Sequence, residues 1–338
     1  LYRDPIKSYR ALKRLLQHGR KVNNGSALKK GFWVADGYGW DMFHPLFPGK
    51  AFDSFFYQHL EEIMPSGSGR PVLRRLLVAI TKKCPLQCAH CSEWDSLNQK
   101  DVLSLAELRH KIAEMVHLGV SQIVYSGGEP LNRFADLLAL VEHFRDRSQW
   151  IYTSAYGLDR EKAQLLRDAG LEGVAVSLDH HIPEEHNSFR NNAKAWKEAI
   201  SGIQNCLAEG FPVALNICPQ RDYIRSGGMD KFMELANELG VHMVNILEPR
   251  AVGHWDGEDV ELGQTEKAML ESVWKKYNDQ DPYRSYPIIT YPGMARKKTP
   301  CGGGLSYLLL DYDGTLRPCP FCKTPITEVQ RERSLCEA

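Results

Sequence analysis

Residues 82–94 read KKCPLQCAHCSEW and directly follow the short apolar run LLVAI at residues 76–80. The stretch holds Cys84, Cys88 and Cys91 in a C-x3-C-x2-C spacing. Iron–sulfur clusters in proteins are held by cysteine thiolates at close spacing. Three thiolates can bind three irons of a 4Fe–4S cube and leave the fourth iron open to a small molecule. The spacing therefore predicts an enzyme built around such a cluster.

Other interpretations of the three cysteines are structural. A zinc site prefers four ligands, often as paired C-x2-C, and the x3 spacing fits that pattern poorly even with His90 as a further ligand. A disulfide framework suits small secreted domains rather than a chain of 338 residues. Unrelated core cysteines are a third alternative, because cysteine often packs as a small hydrophobe. A non-catalytic zinc or iron–sulfur scaffold or sensor is thus the alternative from another functional class.

The composition is that of an ordinary globular protein, with 43% apolar and 25% charged residues. Lys plus Arg equals Asp plus Glu, 42 each, so we expect no nucleic-acid partner. No apolar run is long enough to span a bilayer, and no signal peptide is visible. Nine cysteines, three of them in a metal-like cluster, favour a reducing compartment, so the sequence predicts a cytoplasmic protein.

The first 70 residues differ in character from the rest. Residues 1–30 carry nine Lys or Arg against the single acid Asp4. Apolar side chains recur there at helical spacing, at Tyr2, Ile6, Tyr9, Leu12 and Leu16. This pattern predicts a basic amphipathic helix, followed by an aromatic-rich segment at 32–57. We favour a cap packed on the main domain; the alternative is peripheral contact of residues 1–30 with a membrane or a partner.

Regular alternation begins after the linker-like stretch PSGSGRP at residues 65–71. Predicted strands lie at 74–81, 121–126, 149–154, 173–178, 212–218 and 241–247. Predicted helices lie at about 104–118, 133–147, 159–169, 191–209 and 230–239. Six strands separated by helices imply right-handed crossovers and a parallel sheet, so the fold class is α/β, a partial (β/α)6 TIM-like barrel.

Polar motifs follow nearly every predicted strand. The cysteine loop comes first, and later strands are followed by SGGEP (126–130), SAY (154–156), SLDHH (177–181) and EPR (248–250). Ligands bind such sheets at the carboxyl ends of the strands. We therefore expect all these motifs to line one rim of the barrel.

The chain resembles the radical S-adenosylmethionine (radical SAM) superfamily over residues 72–250, on C-PLQ-C-AH-C after the first strand and GGEP after the second. The resemblance implies that Cys84, Cys88 and Cys91 ligate a 4Fe–4S cluster whose open iron binds SAM. It implies cofactor-binding roles at the rim for Gly127, Gly128 and Glu129 (the SAM ammonium), Ser177 and Asp179 (the carboxylate or ribose), Asn216 and Arg250. His90 departs from relatives, which often carry an aromatic residue before the third cysteine.

A second cysteine group lies near the C-terminus. The spacing of Cys301, Gly314 and Cys319 resembles the opening of SPASM and twitch auxiliary-cluster domains. LSYLLLDYDGTL at residues 305–316 predicts a hairpin with an Asp-Gly turn, which would bring Cys301 near Cys319 and Cys322. The resemblance implies that these three, with Cys336 as a candidate fourth, ligate an auxiliary 4Fe–4S cluster.

SPASM domains carry more cysteines downstream, so either the auxiliary cluster has an open or non-cysteine site or further ligands are missing from this chain. A zinc site is the alternative. Cys206 and Cys218 are expected in the core.

The resemblance implies reductive cleavage of SAM to a 5′-deoxyadenosyl radical, which abstracts a hydrogen atom from the substrate. With an auxiliary cluster, it favours an oxidoreductase or maturase that crosslinks or dehydrogenates a peptide or small-molecule substrate. The alternative substrate is a lipid, polyprenyl or other small molecule at a membrane. A ferredoxin or flavodoxin is the expected electron donor. The predicted domains are the cap (1–70), the barrel (71–280) and the auxiliary-cluster region (281–338).

Overall fold

A computed structural model describes residues 4–22, 30–63, 73–297 and 301–326. Its main sheet has nine strands in the order β11-β10-β3-β4-β5-β6-β7-β8-β9. The strands of this sheet are β3 (Arg75–Thr81), β4 (Gln122–Gly127), β5 (Ser148–Thr153), β6 (Gly173–Ser177), β7 (Val213–Ile217), β8 (Met243–Ile246), β9 (Ile288–Thr290), β10 (Tyr307–Leu310) and β11 (Leu316–Arg317). A separate antiparallel pair is formed by β1 (Phe32–Val34) and β2 (Gly37–Gly39).

The helices that precede β6 in the chain are α1 (Pro5–Val22), α2 (Lys50–Ile63), α3 (Leu105–His117), α4 (Phe134–His143) and α5 (Arg160–Ala169). The helices that follow β6 are α6 (Pro183–Arg190), α7 (Ala195–Ala208), α8 (Arg221–Arg225), α9 (Gly228–Leu239), α10 (Gln264–Asp279) and α11 (Pro292–Arg296). Local chemistry sets several of their ends. Ser104 and Glu107 form a capping box at the start of α3, and Gly170 ends α5 in the left-handed conformation.

The six predicted strands are confirmed. They correspond to β3 through β8, which lie side by side, parallel and in chain order. The predicted α/β class and partial-barrel architecture are therefore correct. Within the segment predicted as a cap, Phe32, Met42 and Leu46 pack on the inner face of the barrel in a cluster with Trp150.

The sheet contains three strands in addition to the six that the sequence predicted. β9 adds a parallel strand beside β8, so the sheet continues beyond residue 280. The predicted C-terminal hairpin is present as β10 and β11, but β10 also pairs in parallel with β3. Strands of two to four residues carry too little periodicity to be recognised, and only long-range pairing reveals their place.

The predicted start of the helix at 191–209 was wrong, because α7 begins only at Ala195. A separate helix, α6, ends at Arg190, and Asn191 follows it in the left-handed conformation. None of the helices within the described ranges is both long and apolar enough to cross a membrane.

Candidate active site at the carboxyl ends of the strands

The cysteine loop leaves β3 at Thr81 and is held by segments distant in sequence. Asn98 accepts a hydrogen bond from the Cys84 amide at 2.9 Å. His254 donates its amide to the Cys91 carbonyl at 2.9 Å, and its Nδ1 lies 3.0 Å from the Cys88 carbonyl oxygen. The end of α6 adds a bond from the Ala89 amide to the Phe189 carbonyl, at 2.9 Å. Tertiary contacts therefore set the shape of the loop.

A single cavity of about 990 Å³ occupies the barrel in front of this loop. Its lining includes every barrel residue that the sequence singled out for the cluster or SAM, namely Cys84, Cys88, Cys91, Gly127, Gly128, Glu129, Ser177, Asp179, Asn216 and Arg250. The structure thus places these residues around one cavity. Their roles as ligands stay predictions.

The two glycines of the GGE motif are required by the backbone. Gly127 has a φ of +132°, and a Cβ there would overlap the carbonyl oxygen of Thr81. The Gly128 amide donates to that same carbonyl at 2.7 Å, and the Glu129 amide donates to Lys83 at 2.8 Å. The end of β4 can therefore lie directly against the start of the cysteine loop.

Glu129 is buried, at 1% exposure, and its carboxylate is fully engaged by protein donors. It accepts hydrogen bonds from the Thr153 hydroxyl at 2.6 Å, from the Ser154 amide at 2.7 Å and hydroxyl at 2.5 Å, and from the Leu131 amide at 3.2 Å. Burial raises its pKa, and these bonds oppose the increase. In this arrangement the side chain fastens the end of β5 to the cavity wall.

Asp179 pairs with a residue that the sequence analysis missed. Its Oδ2 accepts from Arg190 Nε at 2.6 Å and Nη2 at 2.5 Å, while its Oδ1 accepts from the Cys218 amide at 3.1 Å. Burial alone would raise the pKa of Asp179, but the guanidinium holds it below its usual range. In the structure this carboxylate pairs with Arg190, and its contact with SAM stays a prediction.

Arg190 also reaches the cysteine loop. Its Nη1 donates to Cys88 Sγ at 3.4 Å, and the residue is only 7% exposed. It lies at the end of α6, eleven residues after Asp179 and outside every motif that we recognised. The segment SFRNN contains no pattern that would have revealed it.

His90 presents a neutral aromatic face to the cavity. Its ring centroid lies 4.9 Å from that of Phe189 and 6.0 Å from that of Trp255. Burial lowers its pKa to about 4. Its buried Nδ1 has no hydrogen-bond partner in the part of the chain that the structure describes. This unpaired nitrogen lies beside the cysteines, where a bound molecule can supply the missing hydrogen bond.

A buried lysine joins the cysteine loop to the C-terminal hairpin. Lys82 is 0% exposed, pairs with Glu93 across the loop and lies 2.8 Å from Asp311 Oδ1 at the end of β10. Its Nζ also lies 5.1 Å from the ring centroid of Tyr312. Nothing in the KKC stretch distinguishes this lysine from an exposed one, so the sequence analysis missed it.

Cys301 lies near the Tyr307 hydroxyl, at the start of the hairpin, and the predicted approach of Cys301 to Cys319 and Cys322 stays a prediction. Cys301 Sγ lies 3.9 Å from that hydroxyl, and burial together with both cysteines raises the Tyr307 pKa. The Cys322 amide donates to the Cys319 carbonyl at 3.2 Å. Cys301 lines the barrel cavity. Cys336 lies outside the described residues.

All eight described cysteines are free thiols. Cys206 is buried in α7, as expected, and Cys218 is buried but also lines the cavity. Within the described ranges, no three His, Cys, Asp or Glu side chains are grouped to hold one metal ion. In a 4Fe–4S cube each cysteine binds a different iron, so the predicted cluster does not require three side chains around one metal ion.

The fold and site define an α/β partial-barrel protein with a three-cysteine loop at the carboxyl end of its first barrel strand. The model of the radical SAM superfamily matches residues 78–223. Residues 78–223 therefore form a radical SAM domain, which indicates an enzyme. Such a domain implies SAM and a 4Fe–4S cluster as cofactors.

Solved structures share the fold at low sequence identity. Streptococcus suis SuiB bound to its precursor peptide SuiA is 13% identical, with a TM-score of 0.66, and the match covers 83% of this chain and 67% of SuiB. Native anSMEcpe with bound AdoMet is 14% identical, with a TM-score of 0.58 and coverage of 78% and 79%. HydG, a maturase of the [FeFe]-hydrogenase, is 14% identical, with a TM-score of 0.54 and coverage of 99% and 77%.

Proposed function

We propose that this enzyme cleaves SAM reductively and uses the resulting 5′-deoxyadenosyl radical to abstract a hydrogen atom during oxidative modification of a peptide. The observation that supports this most is the convergence of the three cysteines, the GGE backbone and the polar strand ends on one cavity. The cysteines would hold the cluster, which supplies the electron for SAM cleavage. The chain's own residues enclose the site and position the substrate.

The donor set fits these cofactors. Three thiols without disulfide partners face the cavity beside a guanidinium, which suits anionic cysteine sulfur. Gly127 and Gly128 expose backbone next to the loop, where a ligand ammonium can approach carbonyl oxygens. Ser177, Asn216 and Arg250 are proposed to contact the cofactor. In this proposal Glu129 positions Thr153 and Ser154, and Asp179 positions Arg190.

Anaerobic reconstitution tests the proposal. Reduced protein supplied with SAM should form 5′-deoxyadenosine, and Cys88→Ala should abolish that product together with most of the bound iron. Cys206→Ala is the matched control, because Cys206 is buried in α7 away from the cavity. Wild-type protein that binds no iron would instead support a non-catalytic scaffold or zinc protein.

We also propose an auxiliary 4Fe–4S cluster on Cys301, Cys319 and Cys322, with Cys336 as candidate fourth ligand. The hairpin region supports it, because Cys301 lies at the cavity wall beside the Tyr307 hydroxyl and Cys319 and Cys322 are joined by a backbone hydrogen bond. Cys319→Ala should lower iron content by about one cluster and stop formation of modified substrate, while SAM cleavage continues. Zinc in place of iron at this group would refute the proposal.

The peptide substrate is proposed from the size of the cavity and from the fold shared with SuiB, whose structure holds a precursor peptide. A ferredoxin or flavodoxin in the cytoplasm is the proposed electron donor. Substituting deuterium at the substrate carbon tests hydrogen abstraction, because the label should appear in 5′-deoxyadenosine. Product that lacks the label would exclude that carbon as the site of abstraction.

A second proposal concerns α1 and a membrane surface. Ile6, Tyr9, Leu12 and Leu16 are between 54% and 67% exposed on one side of this helix. Its opposite side packs against the protein through Ala11, and His18 contacts the His59 ring of α2 at 5.3 Å. Exposed basic residues lie next to the apolar stripe at Lys7, Arg10, Lys13 and Arg14. An apolar stripe flanked by cations is typical of helices that lie on anionic bilayers.

Sedimentation with vesicles of phosphatidylcholine and phosphatidylglycerol tests this contact. Leu12→Gln with Leu16→Gln should weaken binding by about thirtyfold or more, since each leucine buries apolar area worth more than about 1 kcal/mol. Leu165→Gln is the control, because Leu165 is an exposed leucine on α5. Equal sedimentation of all variants would refute the membrane contact, and with it the alternative of a lipid substrate would lose its support.

A further inference from the structure

A row of polar side chains crosses four adjacent strands inside the barrel. The register pairs Ser177 of β6 with Asn216 of β7, Asn216 with Asn245 of β8, and Asn245 with Thr290 of β9. We call these four residues the polar row, and all of them line the cavity that contains the cysteine loop. Strands buried in a parallel sheet are usually apolar throughout, so a polar row here requires an explanation.

The row two residues nearer the amino ends of the strands is apolar. It consists of Ala175, Ala214, Met243 and Ile288, which pack together with Phe32, Met42 and Leu46 of the cap. The cap therefore packs on this apolar row, and the polar row lies on the carboxyl-end side of it.

Asn245 is the unusual member of the polar row. It is 0% exposed, and its Nδ2 donates to Asn216 Oδ1 at 2.9 Å. Its own Oδ1 is buried and accepts no hydrogen bond from any described residue. Leaving a buried acceptor unpaired costs about 1–3 kcal/mol, a cost that a ligand donor can remove.

The pair of amides presents complementary groups to the cavity. The bond between them leaves an acceptor on Asn245 and the amide nitrogen of Asn216, which donates to no described side chain or backbone. A peptide backbone carries N–H donors, any one of which can satisfy the unpaired acceptor on Asn245. The resemblance assigned Ser177 and Asn216 to SAM, but it assigned nothing to Asn245 or Thr290.

We infer that Asn245, with Thr290 beside it, binds a backbone amide of the substrate peptide and positions it in front of the cysteine loop. The inference rests on the proposed function and adds the residues that recognise the substrate. Asn245 accepts the amide N–H, and the hydrogen bond to Asn216 fixes the orientation of the Asn245 side chain.

Ligand-observed NMR with the reconstituted, SAM-loaded enzyme tests this inference. The probes are acetyl-triglycine amide and its analogue in which the central N–H is replaced by an ester oxygen. Wild-type enzyme should bind the amide about five- to tenfold more tightly than the ester, as expected for one hydrogen bond. Asn245→Leu should bind both equally.

Asn245→Leu also removes the donor to Asn216, so Thr290→Val serves as a second, nearly isosteric variant. It should reduce the preference for the amide without lowering the melting temperature. Asn205→Leu is the matched control, since Asn205 is a partly buried asparagine on α7 that bonds the Leu158 carbonyl at 2.9 Å. That control should keep the full preference for the amide.

Several results would overturn the inference: equal binding of amide and ester by wild type, an unchanged preference in Asn245→Leu and Thr290→Val, or binding of farnesol in place of the tripeptide. Formation of 5′-deoxyadenosine by the same wild-type preparation is measured in parallel. Its absence refutes the proposed function, whereas its presence together with equal binding refutes only the role of Asn245.

Discussion

Replacing Arg190 by methionine should destabilise the enzyme more than almost any other single change near the site. Arg190 and Asp179 form a pair whose side chains are 8% and 3% exposed. Methionine fills similar space but leaves the Asp179 carboxylate buried without its cation. Breaking a buried ion pair in this way costs about 3–5 kcal/mol. Folded domains have total stabilities of about 5–15 kcal/mol, so the loss is a large share.

Double-mutant analysis isolates the cause. Asp179→Asn removes the buried charge, so Arg190→Met combined with Asp179→Asn should recover much of the stability lost in Arg190→Met alone. The assay is urea unfolding of the anaerobic enzyme, followed by tryptophan fluorescence. A loss below about 1 kcal/mol in Arg190→Met, or no recovery in the double variant, would refute the reasoning.

The pH dependence gives an independent check. The folded-state pKa of Asp179 is lowered in the wild type, so the stabilisation from its ion pair is present above the unfolded-state pKa. It is lost as pH falls through the folded-state pKa. In Arg190→Met burial acts without its opposing cation and raises the pKa of Asp179. The stability difference between variant and wild type should therefore shrink as pH falls from 7 toward 4.

Three further predictions concern other parts of the fold. Burial raises the pKa of Glu172, which accepts bonds from Leu46, Ser148 and Trp150, to about 7, so stability should fall by up to about 3 kcal/mol as pH rises from about 4.5 through 7. Urea unfolding against pH measures this, and Glu172→Gln should remove the dependence; a flat wild-type profile would contradict it. Lys82→Met should cost about 3 kcal/mol, because it removes the buried cation between Glu93 and Asp311 and leaves them only Lys323 and Arg317, and it should expose the C-terminal hairpin to proteases, whereas Lys323→Met, which removes an exposed cation, should do neither. Gly127→Ala should lower both the melting temperature and iron binding because its Cβ overlaps Thr81, while Gly210→Ala, also at positive φ but in open space, should cost only about 1–2 kcal/mol and keep the iron.

Most of the correct predictions depended on the spacing of residues that lie close together in the sequence. The six central strands and their order follow from alternation of apolar and helical segments, which each segment displays by itself. The motifs after those strands could be placed on one rim because parallel strands all end on the same side. Gly127, Ser177 and Cys88 were located in this way before any contact was known.

Residues recognised only through distant contacts escaped prediction. Arg190 acts on Cys88, which lies 102 positions away, and its segment has no motif. Lys82 looks like an ordinary surface lysine until Asp311 of β10 is seen beside it. β9, β10 and β11 are too short to display a period, so their places in the sheet depend on pairing alone.

The amino-acid sequence by itself determined the resemblance to radical SAM proteins, the parallel barrel and the three-cysteine loop, because each depends on the spacing of residues close together in the chain. The tertiary structure decided which charges are buried and paired, how residues of the cap pack on the barrel strands, and that Asn216 and Asn245 lie side by side. The physical reason is that burial and hydrogen bonding depend on neighbours brought together by folding, and those neighbours are far apart in sequence.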